Sequence, residues 1–144
     1  MINTSNLEQA KNLIKQSKEK PIIVRAQNLE FNRKILEYGK FNILLSIENN
    51  TDKSESKKYL DSGLNHILAK IAAKNNTSIG INMQEIKSID KKNKAMRLAK
   101  IIQNIKICRK AKTKIKLLNY QDKITAFSFL ISLGSSTRQA KEAI

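Results

Sequence analysis

The sequence predicts an α/β domain in which parallel strands alternate with helices, and three observations predict it. Short apolar runs alternate along the chain with longer stretches whose apolar residues recur at helical spacing. The runs Ile22-Ile23-Val24 and Phe41 to Ile47 are nearly uninterrupted, as in strands covered on both faces. With 4 Gly and 1 Pro in 144 residues the chain is too poor in turn residues for an all-β sandwich or barrel. A hydrophobic content of 40% also sets it apart from a disordered basic tail.

The elements follow in order. Residues 6 to 19 predict an amphipathic helix carrying Leu7, Ala10, Leu13 and Ile14, with Asn6 as its N-cap. Pro21 closes the approach to the strand at Ile22–Val24. Asn28 caps a second helix with an apolar stripe of Phe31, Ile35 and Tyr38, and Gly39 ends it. Phe41 to Ile47 is the next strand, and Glu48 to Lys58 reads as a polar loop. Asp61-Ser62 opens a third helix, where Leu64, Ile67, Leu68 and Ile71 follow the i, i+3, i+4, i+7 pattern and predict the inward face. Asn75-Asn76 stops it, and Thr77 to Met83 alternates like a strand. A long helix is expected from Asp90 to Ala111, with Leu98, Ile101, Ile102, Ile105 and Cys108 on one stripe. Lys114 to Asn119 is the last strand, and Gln121–Leu133 and Thr137–Ala143 are helical around Gly134. No repeat or linker divides the chain, so residues 1–144 form a single domain. Strand–helix alternation of this kind implies right-handed crossovers.

Composition excludes several function classes. No apolar run approaches the roughly 20 residues that span a bilayer, so no membrane partner is expected. The polar start MINTSNLEQAKNLIKQ lacks the apolar core of a signal peptide. Cys108 is the single cysteine, which excludes an internal disulfide and points to the reducing cytoplasm. His66 is the single histidine, so a zinc site would have to be built from one imidazole and carboxylates. The sequence holds no GxGxxG, GxxxxGK[ST] or GxSxG motif. No nucleophile or carboxylate is placed to work with His66. The chain itself is therefore not expected to be catalytic, and neither a metal nor a cofactor is expected to bind it.

Charge is the dominant signal. Twenty-eight Lys and Arg against 12 Asp and Glu give a net charge of +16. Lysine, asparagine and isoleucine number 23, 15 and 21, a bias that A/T-rich codons alone can produce. Codon bias does not explain clustering, however. Between Lys87 and Lys116 lie ten lysines, Arg97 and Arg109, against the single acid Asp90. Like charges this dense repel on a helix and are tolerated where a polyanion neutralises them. Lys91, Lys92, Lys94, Arg97, Arg109 and Lys110 are accordingly candidate phosphate contacts for RNA, which Lys and Arg meet without reading sequence. A solvated lysine-rich helix is the plainer alternative.

Three stretches carry a family resemblance. They are IIVRAQNLEFNRKILE running on to FNILLS, DSGLNHILAKIAAKNNTSIGIN at 61 to 82, and RLAKIIQNIKICRKAKTKIKL leading to DKITAFSFLISLG and QAKEAI. Together they resemble the archaeal ribonuclease P protein component 3 family, over roughly residues 7 to 144. The resemblance implies a (β/α) barrel of the TIM type, here in a shortened or incomplete form, since four strands cannot close an eight-stranded barrel. It also implies ribonuclease P RNA, precursor tRNA, protein component 2 and other protein subunits as partners. The RNA performs 5′-leader cleavage with the Mg it requires. The chain departs from the family between Leu118 and Asp122, where Asn119-Tyr120-Gln121 replaces a longer loop.

The remaining candidates are weighed on this basis. Arg25 ends the first strand, where parallel α/β folds bind ligands. Arg33 follows on the next helix, and an ion pair with Glu30 or Glu37 accounts for it equally well. On the 61–75 helix, His66, Ala69, Lys70 and Ala73 lie opposite the apolar stripe, with His66 and Lys70 reaching RNA and the alanines admitting a partner. An ordinary exposed face is the alternative. The uncharged run Ile124–Leu133 is apolar nearly all round, which predicts core or a partner interface through Phe127 and Phe129. Two rival functions stand beside a ribonuclease P subunit: a general RNA-binding module, and a Mg-dependent phosphoesterase with several acids gathered at one strand end.

Overall fold

A computed structural model describes residues 1–49 and 60–144. Its elements are α1 (Leu7–Gln16), β1 (Ile23–Arg25), α2 (Leu29–Tyr38), β2 (Ile43–Leu45), a 3-10 turn (Ile47–Asn49), α3 (His66–Lys74), β3 (Ser78–Asn82), α4 (Met83–Ser88), α5 (Lys91–Ala111), β4 (Ile115–Leu118), α6 (Lys123–Ser132) and α7 (Thr137–Ala143). All four strands are parallel and their order is β1-β2-β3-β4. This open sheet, wound in chain order with helices between strands, is an arc of a (β/α) barrel, as expected. At the β1 edge, Ile2 adds one parallel bridge to Val24. The loop expected over Glu48–Lys58 lies mostly outside the described residues.

Local chemistry sets the element ends. Asn6, Asn28, Asn65, Asn82, Asp90, Asp122 and Ser136 each cap a helix by accepting a backbone N–H from its first turn. Four of the fifteen asparagines thus serve as helix caps. Gly39 and Gly63 hold positive φ, and a Cβ on Gly63 would lie 2.3 Å from the Ile47 carbonyl oxygen.

One layer of core lies between sheet and helices. Val24, Leu44, Ile79, Ile81, Ile115 and Leu117 point into it from the strands, and Ile35, Leu68, Ile101, Ile105 and Leu130 from the helices. Strand residues alternate between faces, so Ile43, Leu45, Gly80 and Lys116 belong to the other side, the face that lines the interior when such a barrel closes. There Ile43 and Leu45 close over Gly80, where a Cβ would meet Ile43 Cγ2 at 2.6 Å. A hollow of about 530 Å³ lies on this face, lined by Asn42, Ile43, Ser78, Lys116, Leu118 and Ile144 among others.

Three expectations are corrected. The third helix starts at His66 rather than Asp61, because residues 61–64 form a turn in which Asp61 Oδ1 accepts from the Gly63 N–H at 2.9 Å. Its inward face consequently differs: Leu68, Ala69 and Ala72 are buried, while Ile67 is 64% exposed. Ala69 is therefore not a partner contact. Its small side chain lets α3 sit close to α5, and its carbonyl accepts from Thr113 Oγ1 at 2.7 Å. Helix α4 was not expected at all. At six residues it is too short to display a period, and Asn82 holds it by accepting from the N–H groups of Gln84 and Glu85.

Candidate nucleic-acid interface

Helix α5 divides its charges between two faces. At 100° per residue, Arg97, Ile101, Asn104, Ile105 and Cys108 share the buried side. Lys91, Lys92, Lys106, Arg109 and Lys110 lie on the exposed side, with Lys94 half-buried beside them. The row falls into two groups: Lys91 and Lys92, and about 21 Å further along at 1.5 Å per residue Lys106, Arg109 and Lys110, with Ala95, Ala99 and Ile102 between them. No acid lies on the helix. Lys91, Lys92 and Lys94 crowd the positive end of the helix dipole, a local cost that Asp90 alone offsets within the cap and first turn.

Arg97 is a correction to the expected set. Its side chain is 7% exposed and its guanidinium reaches inward to two carboxylates. Nε donates to Glu48 Oε1 at 3.1 Å, and Nη2 to Glu85 Oε2 at 2.8 Å and Ser46 Oγ at 3.3 Å. From β1, Arg25 Nη1 donates to Glu85 Oε1 at 2.5 Å. Asn82 and Ser46 complete the set around Glu85. Arg25 and Arg97, both expected at phosphate, thus meet each other's carboxylate at the carboxyl ends of the strands, and Arg97 is out of reach of RNA.

Burial drives the two glutamates upward, and the arginines oppose it. For Glu48 burial wins and its carboxyl lies above the usual range, with Oε2 lacking a hydrogen-bond partner among the described residues. For Glu85 the hydrogen bonds and charges of Arg25 and Arg97 outweigh burial and hold it down at about 2. The two carboxylates converge on guanidinium groups. A metal there would have to displace Arg97, and among the described residues no group of three or more His, Cys, Asp or Glu converges to hold one. Cys108 is buried, and burial pushes its thiol up to about 12, so it is no nucleophile at neutral pH.

The other expected residues scatter. Arg33 pairs with Glu37 at 3.1 Å on its own helix, the local alternative foreseen for it. His66 and Lys70 are exposed on α3, and Ala73 is half-buried. Phe127 and Phe129 are half-buried and pack against the core, whereas Ile124, 78% exposed, and Ile131 form the free apolar stripe of α6. Near the C-terminal end of α5 stand Lys112, Lys114 and Arg138, three cations that were not singled out. The turn at Gly134 brings the start of α7 back to α5, where Gln139 and the Gly134 carbonyl meet Arg109, a contact no local periodicity reveals.

The sequence matches no family model and no curated protein. The backbone does find a match. A chain in a cryo-EM structure of archaeal ribonuclease P with mature tRNA superposes at a TM-score of 0.73 with 21% identity, over 98% of this chain. The fold is one found in ribonuclease P. This chain spans 61% of the length of that ribonuclease P neighbour.

Proposed function

We propose that this chain is a non-catalytic protein subunit of ribonuclease P, which binds the catalytic RNA and supports removal of the 5′ leader from precursor tRNA. The observation that carries the reading is the fold shared with the archaeal ribonuclease P chain over 98% of the residues here. The lysine row of α5 supports it, because two groups of exposed cations held about 21 Å apart on one rigid helix suit two stretches of the backbone of structured RNA. In this reading the RNA holds the Mg and does the chemistry. The protein offsets backbone repulsion at Lys91, Lys92, Lys106, Arg109 and Lys110, and protein component 2 covers the α6 stripe at Ile124 and Ile131. The guanidinium groups on Glu48 and Glu85 argue against the phosphoesterase alternative.

The test is binding and reconstitution. About 5 phosphate contacts predict that affinity for duplex RNA falls with salt at a log–log slope of about −4. Reversing Lys92, Lys106 and Lys110 to Glu should weaken binding far more than reversing Lys11, Lys15 and Lys18. Added to ribonuclease P RNA, the chain should lower the Mg²⁺ needed for 5′ cleavage, while cleaving nothing alone. A slope near zero would end the RNA reading. Binding without any effect on ribonuclease P would favour a general RNA-binding module.

A further inference from the structure

The lysine row of α5 ends at a cavity. The last turn of α5, the step into β4 and the start of α7 surround a space of about 370 Å³, lined by Arg109, Lys112, Thr113, Lys114, Ser136 and Arg138 among others. Four of these side chains are cationic and come from three different segments. Glu142, the one acid among the described residues at the cavity, accepts from Arg138 Nε at 3.0 Å.

The arginine at the centre is fixed before any ligand arrives. Arg109 Nη2 donates to the Gly134 carbonyl, and Nε donates to Gln139 Oε1 at 3.2 Å. Gln139 is itself buried and tied down, its Nε2 donating to the Ile105 carbonyl at 3.2 Å. Nη1 makes no hydrogen bond among the described residues. A held guanidinium with a free edge, flanked by lysines, is the arrangement that receives a phosphate group. Among the described residues no aromatic side chain lines the cavity, so these offer nothing on which a base would stack.

We infer that this cavity seats a phosphate of bound RNA at the end of the α5 row. The inference rests on the RNA-binding reading above and adds a place, a geometry and a ligand group to it. Arg109 contributes oriented donors, and Lys112 and Lys114 contribute point charges. Arg138, exposed in the first turn of α7, stands on the outer side.

Two measurements on the full chain decide it. Amide NMR with inorganic phosphate at constant ionic strength, chloride-matched, should move the N–H signals of Ser136, Thr137 and Arg138 saturably. The same signals should stay still in Lys112→Asn/Lys114→Gln; asparagine suits the left-handed backbone that Lys112 adopts at φ 59°. Binding of duplex RNA by that variant should weaken about tenfold at low salt, with its salt slope shallower by about 1. Where the change at 112 disturbs the helix end, Lys114→Gln/Arg138→Gln carries the same test at exposed positions. RNA bearing a 5′-phosphate and the same RNA with a 5′-hydroxyl distinguish a terminal from an internal phosphate. If wild type binds RNA and both variants keep its affinity and slope, the seat is wrong and the RNA reading survives. If wild type binds no RNA, both fall.

Discussion

Arg97 holds two glutamates whose protons respond oppositely to folding. Glu85 is depressed from 4.5 to about 2, so its contribution to stability is present above 4.5 and lost as pH falls from there toward 2. Glu48 is raised, so its contribution is complete below the unfolded value and lost as pH rises through the folded one. At pH 7 Glu85→Gln is therefore expected to lower the melting temperature, and to flatten the acid limb between pH 4.5 and 2. Glu48→Gln is expected to be neutral or stabilising at pH 7, since the amide oxygen still accepts from Arg97 Nε and no charge is buried. Melting curves across pH 2–8 check both signs, and a shared sign would show that burial does not dominate at Glu48. Arg97 itself was legible. It falls in register with Ile101, Ile105 and Cys108, and an arginine in a buried stripe must find carboxylates. Counting it with its lysine neighbours hid that register. Its partners were not legible, because Glu48 and Glu85 reach it only through the fold of three separate segments.

Among the elements, the strands, the long helix and the inward Leu64, Leu68 and Ile71 of the third helical stretch could be read from periodicity, while the exposure of Ile67 and the face of α6 could not. An apolar stripe names the inward side only where one side is covered. Helix α3 has α2 and α5 as neighbours, so alanines rather than Ile67 face the core. On α6 the same arithmetic leaves Ile124 and Ile131 in one file, seven residues apart, with Phe127 and Phe129 leaning on the core. Ile124→Asp should thus leave the circular dichroism spectrum and melting temperature nearly unchanged, as surface changes do. On the ribonuclease P reading proposed above, it should abolish copurification with protein component 2 on coexpression. Phe129→Asp should instead lower the melting temperature. Undiminished copurification of Ile124→Asp would remove the α6 stripe from the partner interface.

For the whole molecule, a net charge of +16 is a standing repulsion that the few ion pairs do not cancel. Raising NaCl from about 20 to about 500 mM shortens the screening length from roughly 20 Å to a few Å. The melting temperature should therefore climb with salt even as RNA affinity collapses. A falling melting temperature would mean that the Arg25–Glu85–Arg97–Glu48 set outweighs the overall repulsion. The α/β class was legible from alternation, and the openness of the sheet from the count of four strands. The meeting of Arg109 with Gly134 and Gln139 was not, since it joins residues that come together only once α7 folds back on α5.

The strand order β1-β2-β3-β4 has a consequence for synthesis. A growing polypeptide leaves the ribosome N-terminus first, and segments fold as they emerge. In a sheet wound in chain order, every new strand finds its neighbour already present. β2 docks on β1, β3 on β2, and β4 on β3, the last after a connection of two helices, α4 and α5. No strand has to wait for a later one or insert between two earlier ones. The nascent protein can therefore build its core by accretion at one moving edge, and that edge is the part a chaperone would have to shield.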